Sequence, residues 1–279
     1  MSQLFPPGPL VGADALAARL GHPDLVVLDA SVGPHRGAAR RIPGARVFDL
    51  DGAMSDRADP LPHTLPGPEQ FARGMRALGV DDRSTVVVHD AAGLHSGARA
   101  WWMLRAMGFD RAAVLDGGLP AWTAAGLPTE PADAVAAPRP GSFTARPRPD
   151  LIVGLDAVTA ALADDAVAVV DARSRERFTG TVEEPRPGLR RGHMPGSVNL
   201  PFTEVQADGL MRPEAELRVL LAAVAGPRER LVLSCGSGVT ACVLALAADL
   251  AGYRDLAVYD GSWSEWGQPS DRPVARGAA

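Results

Sequence analysis

Apolar residues in this chain come in short unbroken blocks. Leu25-Val-Val-Leu-Asp29, Thr85-Val-Val-Val-His-Asp90, Val167-Ala-Val-Val-Asp171 and Arg230-Leu-Val-Leu-Ser-Cys235 carry no polar alternation. Such blocks fit strands covered on both faces, as in a parallel sheet. Between them lie segments with helical spacing, among them Gly97–Met107 and Thr240–Leu250. Strands alternating with helices predict α/β units around a mainly parallel sheet.

The pattern occurs twice. The strand ending in Asp29 matches the one ending in Asp171, and Ile42-Pro-Gly-Ala45 matches Met194-Pro-Gly-Ser197. Asp90 falls where Cys235 falls. Leu115-Asp-Gly-Gly118 with Trp122 matches Tyr259-Asp-Gly-Ser262 with Trp266. Each landmark recurs about 145 residues later, apart from an insertion around residues 178–190. Residues 131–149 are rich in Pro, Ala and Arg without an apolar period and read as a linker. The expected division is therefore two homologous domains at 10–130 and 150–270.

With 279 residues the chain is long enough for two such domains, and 46% hydrophobic with 22% charged residues is a globular composition. A net charge of −5 gives no reason to expect nucleic acid or an anionic membrane as partner. Two cysteines do not make a disulfide framework and fit a reducing compartment. The first residues lack a basic region followed by an apolar core, and no apolar run approaches a membrane span. The expected location is the cytoplasm.

The chemistry concentrates in Leu231-Val-Leu-Ser-Cys235-Gly-Ser-Gly-Val-Thr-Ala-Cys242. A strand ends at a thiol, a small-residue loop follows, and a helix begins. Glycines allow the loop to turn its N–H groups inward, and the helix start adds partial positive charge. Both favour a thiolate, so Cys235 is the candidate nucleophile. The competing reading is a buried structural thiol. Cys242 lies among Ala, Val and Leu and reads as a core residue, with a resolving thiol as the alternative. With Asp90 at the matching position, the first domain lacks a thiol nucleophile. The six histidines show no metal-ligand spacing with either cysteine.

Taken together these landmarks resemble the rhodanese superfamily, and within it the two-domain sulfurtransferases. The loop Cys235-Gly236-Ser237-Gly238-Val239-Thr240-Ala241 looks like the active-site loop of its 3-mercaptopyruvate-using members. Thiosulfate-using members typically have two basic residues after the cysteine, where this chain has Gly236 and Ser237. Asp260-Gly-Ser-Trp263 and the Trp101-Trp102 pair are also similar to the family.

The resemblance implies two tandem rhodanese-like domains, the first non-catalytic and the second catalytic. It implies transfer of sulfur from 3-mercaptopyruvate through a Cys235 persulfide to a thiol such as thioredoxin, or to cyanide, with release of pyruvate. Arg177 and Arg186 become the substrate-binding pair, which suits a carboxylate because arginine donates in a planar fork. Read from the residues alone, both belong to a solvated loop. N–H groups from Gly236 through Gly238, Val239 and Thr240 to Ala241 are expected to hold the outer sulfur. Asp51, His63 and Ser237 become a proton relay, with an ordinary loop histidine as the alternative for His63. His193 is expected to be structural, and neither a metal nor an organic cofactor is implied.

Three other readings compete. A thiosulfate:cyanide sulfurtransferase is disfavoured by the uncharged Gly236 and Ser237, because a compact dianion gains from basic neighbours. A cysteine phosphatase places an arginine six residues after its nucleophile, and that position here is Ala241. A non-enzymatic binding module is expected to have lost the cysteine.

Overall fold

The computed structural model describes residues 4–5, 8–132 and 138–278, and the chain divides into two compact units. The first comprises Met1–Ala58, Leu65–Arg148 and Asp208–Met211; the second comprises Asp59–Thr64, Pro149–Ala207 and Arg212–Ala279. Each holds one five-stranded sheet.

The first sheet is built from β1 (Leu10–Val11), β2 (Leu25–Asp29), β3 (Arg46–Val47), β4 (Thr85–His89) and β5 (Ala112–Leu115), in the order β1-β5-β4-β2-β3. The second is built from β6 (Ile152–Val153), β7 (Val167–Asp171), β8 (Val198–Asn199), β9 (Arg230–Ser234) and β10 (Asp255–Tyr259), in the order β6-β10-β9-β7-β8. The two orders are the same. Every pairing within these two sheets is parallel, so the chain must cross back between strands, in most cases through a helix. Val27, Val87, Ala113 and Trp122 meet in one core, and Val169, Val232, Ala257, Trp263 and Trp266 in the other.

The repeat extends to individual hydrogen bonds. Ile42-Pro-Gly-Ala45 and Met194-Pro-Gly-Ser197 both close a turn by an N–H to C=O bond of 3.0 Å from its fourth to its first residue. Gly44 and Gly196 have φ of 74° and 86°, which a side chain resists and the third position of a type II turn requires. Trp122 Nε1 donates to Pro128 C=O, and Trp266 Nε1 to Pro273 C=O.

Three segments depart from the sequence reading. Residues 133–137 of the expected linker lie outside the described residues, but 138–148 run as a strap on the first unit. Gly141 and Phe143 N–H donate to Arg76 and Val80 C=O, and Arg146 and Arg148 N–H to Met107 and Ala106 C=O. Only Phe143 is driven fully inside, against Phe71 and Phe109. A strap held by backbone bonds and one aromatic anchor leaves no apolar period to read. The other departures are segment 59–64, which lies early in the chain yet belongs to the second unit, and segment 208–211, which lies late and belongs to the first.

Candidate functional site

Strand β9 lies between β7 and β10, with Ser234 in register with Asp171. Its carboxyl end is the place where open parallel sheets bind ligands. Cys235 follows immediately and is 2% exposed. The loop turns through Gly238, whose φ is 73°, into the buried helix Ala241–Leu250. Two serines hold this loop: Ser264 Oγ donates to Gly236 C=O at 2.6 Å, and Ser262 ties its two ends together. Ser262 Oγ accepts from Cys235 N–H at 3.1 Å and Gly238 N–H at 3.0 Å, and donates to Tyr259 C=O at 2.8 Å. To reach that position Ser262 adopts a φ of 49°.

This narrows the expected N–H set. Gly238 N–H is committed to Ser262 and is withdrawn from it, because one hydroxyl oxygen draws both ends of the loop together. The N–H groups of Gly236, Ser237, Val239, Thr240 and Ala241 have no acceptor among the described residues. Cys242 is fully buried, and its thiol donates to Gly238 C=O at 3.2 Å.

Arg177 and Arg186 converge on this loop. A Cβ built on Gly236 would stand 3.0 Å from Arg177 Nη2 and 3.7 Å from Arg186 Nη1. A side chain there would touch Arg186 and press on Arg177, which would have to give by a few tenths of an ångström. The solvated-loop reading of Arg177 gives way to a packed one: it lies on the helix Arg175–Thr179, capped by Ser174, and its side chain is 24% exposed.

Behind it runs a buried ionic chain that spacing did not single out. Arg173, fully buried, donates to Asp171 at 2.7–3.1 Å, to Glu184 Oε1 at 2.8 Å and to Gly192 C=O at 2.8 Å. Its guanidinium stacks on Trp263 at 4.2 Å. Burial works against the Arg173 charge, but Asp171 and Glu184 outweigh it and hold the pKa above its usual value. Glu184 Oε2 then accepts from Arg177 Nη2 at 2.6 Å. The available signal was the repeat itself, since the counterpart of Arg173 is Ser31, which binds Asp29.

His63 Nδ1 lies 3.0 Å from Ser237 Oγ, across 174 residues of sequence. His63 holds a φ of 63°, uncommon for a residue with a side chain and typical of constrained sites. Asp51, in the first unit, accepts from Gly33 N–H and pairs with Arg36 at 3.6 Å. His193 stacks on Phe178 at 3.8 Å, and its Nδ1 is 2.9 Å from Phe178 C=O, a packing role.

The first unit shows what the same loop does without a thiol. Asp90 is fully buried, and its carboxylate accepts from the N–H groups of Ala92, His95, Ser96 and Gly97 at 2.8–3.1 Å. A built-in anion therefore fills this cradle at the start of the helix Gly97–Ala106. Among the described residues no group of three or more His, Cys, Asp or Glu could hold a metal, and no helix is long and apolar enough to cross a membrane.

Comparison with known proteins supports the two-domain fold and its family. The rhodanese-like domain family matches residues 12–125 and 155–269. A 3-mercaptopyruvate sulfurtransferase of Escherichia coli is 40% identical, over 95% of this chain and 96% of its own. The human 3-mercaptopyruvate sulfurtransferase is 43% identical, over 81% of this chain and 77% of its own. The crystal structure of SseA from Escherichia coli, described as a 3-mercaptopyruvate sulfotransferase, superposes with a TM-score of 0.82 at 37% identity, covering 93% of this chain and all of that one.

Proposed function

The chain belongs to the rhodanese family, and from that premise we propose that it is a 3-mercaptopyruvate sulfurtransferase working through a Cys235 persulfide. The observation that carries the reading is the approach of Arg177 and Arg186 to Gly236, beside the cysteine. Two planar forks next to an uncharged loop suit a donor with one carboxylate.

In the proposed cycle the Cys235 thiolate attacks the donor sulfur and a sulfur–sulfur bond forms. The carbon–sulfur bond breaks, and its electron pair leaves as the enolate of pyruvate. A proton then reaches the methylene carbon. The 3.0 Å contact between His63 and Ser237 supports these two as its route, and the relay extends to Asp51 on the family resemblance. The free N–H groups of Gly236, Ser237, Val239, Thr240 and Ala241 support a cradle for the outer sulfur, of the kind Asp90 fills in the first unit. A thiol such as thioredoxin, or cyanide, then takes that sulfur and regenerates Cys235. The catalytic domain in this proposal is 150–270, joined by His63 from segment 59–64, and 10–130 is non-catalytic.

Thiosulfate is the second donor to test, because Arabidopsis relatives are named for both donors. The deciding experiment gives the purified protein each donor in turn. Mercaptopyruvate should yield pyruvate, and intact mass should show one added sulfur on Cys235. A folded protein that releases no pyruvate overturns the proposal.

A further inference from the structure

We propose that Glu184 is a specificity-determining residue, whose buried carboxylate neutralises and aims Arg177 so that the arginine pair accepts a monocarboxylate and disfavours a dianion. This rests on the sulfurtransferase reading of the site.

The Glu184 side chain is 2% exposed and sits between two guanidinium groups. Oε1 accepts from Arg173 Nη1 at 2.8 Å and from Arg177 Nε at 3.3 Å; Oε2 accepts from Arg177 Nη2 at 2.6 Å. Arg173 already has a carboxylate of its own in Asp171, so the second carboxylate balances Arg177. The chain Asp171–Arg173–Glu184–Arg177 carries two charges of each sign and is neutral.

The fork geometry matters as much as the charge. Glu184 takes the Nε and Nη2 edge of Arg177 and turns the guanidinium so that both terminal nitrogens stand within 4 Å of a Cβ position on Gly236. Arg177 Nη1 has no acceptor among the described residues and remains to donate to a substrate oxygen. A single carboxylate gains those hydrogen bonds. A compact dianion brings a second negative charge toward a buried carboxylate that water screens poorly, and that repulsion grows with the ligand's charge. The first unit, which has no thiol, has neither the arginine nor the insertion that carries Glu184: Ser31 stands where Arg173 stands.

The test is kcat/KM for thiosulfate relative to mercaptopyruvate in wild type, Glu184→Gln and Glu184→Asp. Glutamine keeps the shape and one acceptor but removes the charge. The ratio should rise about tenfold, as expected for one unit charge removed several ångström away in a partly solvated site. Aspartate keeps the charge and shortens the reach, so both activities should fall while the ratio stays near that of wild type. A Glu184→Gln ratio unchanged, with both activities lowered equally, reduces Glu184 to a structural role and overturns the proposal; so does a tenfold shift in Glu184→Asp. Wild type inactive with mercaptopyruvate means instead that the sulfurtransferase reading has failed. Protection of Cys235 from alkylation by sulfate against pyruvate then carries the test, and Glu184→Gln should favour sulfate.

Discussion

Ser262→Ala removes the hydroxyl that draws the cysteine loop together. Its Oγ accepts from Cys235 and Gly238 N–H at 3.1 and 3.0 Å and donates to Tyr259 C=O at 2.8 Å, all in a fully buried position. Alanine leaves two buried donors and one acceptor without this partner. Each stranded group costs about 1–3 kcal/mol, so a loss of at least about 3 kcal/mol is expected for the second unit. Ser262→Gly loses the same bonds but relieves the positive φ of 49°, and should be about 1 kcal/mol more stable than the alanine variant. Urea unfolding followed by tryptophan fluorescence measures both differences. Alkylation of Cys235, which is 2% exposed, should speed up in both variants because the loop opens more readily. A Ser262→Ala variant within about 0.5 kcal/mol of wild type, or a glycine variant less stable than the alanine one, would refute the reasoning.

Cys235→Ser should abolish sulfur transfer, whereas Cys242→Ser should keep most of it, because a serine hydroxyl can still donate to Gly238 C=O; a folded but dead Cys242 variant contradicts the single-nucleophile account. Arg177→Ala and Arg186→Ala should each lower kcat/KM for mercaptopyruvate by about 2 kcal/mol, the loss of one charge-assisted contact, and steady-state kinetics unchanged in both would return them to a surface role. His89 is fully buried, neither ring nitrogen has a hydrogen-bond partner among the described residues, and burial lowers its pKa despite the nearby charges of Asp29 and Asp90. The unfolded chain therefore takes up a proton, from about pH 6.5 downward, that the folded chain refuses, so stability of the first unit should fall with pH in that range. Urea midpoints between pH 8 and 5 should show a shallower slope in His89→Gln, and equal slopes contradict the assignment.

The sequence alone determined the central strands β2, β4, β7 and β9, their alternation with helices, the twofold repeat with its recurring Pro-Gly segments, and the thiol at the end of β9. These follow from local rules. A short, valine-rich apolar run bounded by turn residues favours a strand wherever it lies, whereas the longer Ala/Leu-rich run Ala241–Leu250 is a helix, and Gly44 or Gly196 after proline closes the same turn in either unit. It also showed that Asp90 replaces the thiol, since the repeat fixes that position without coordinates. Tertiary structure alone decided where the loop's N–H groups point. Ser262, 24 residues beyond Gly238, claims the Gly238 donor that a loop-only reading leaves open for substrate. It decided the pairing of His63 with Ser237 across 174 residues, the burial of Phe143 in what reads as a linker, and the ionic chain that makes an apparently solvated Arg177 rigid. Each of these depends on distances between groups remote in sequence. Composition and periodicity carry the free energy of burying a segment, but not the identity of the partner a buried charge or N–H group finds there.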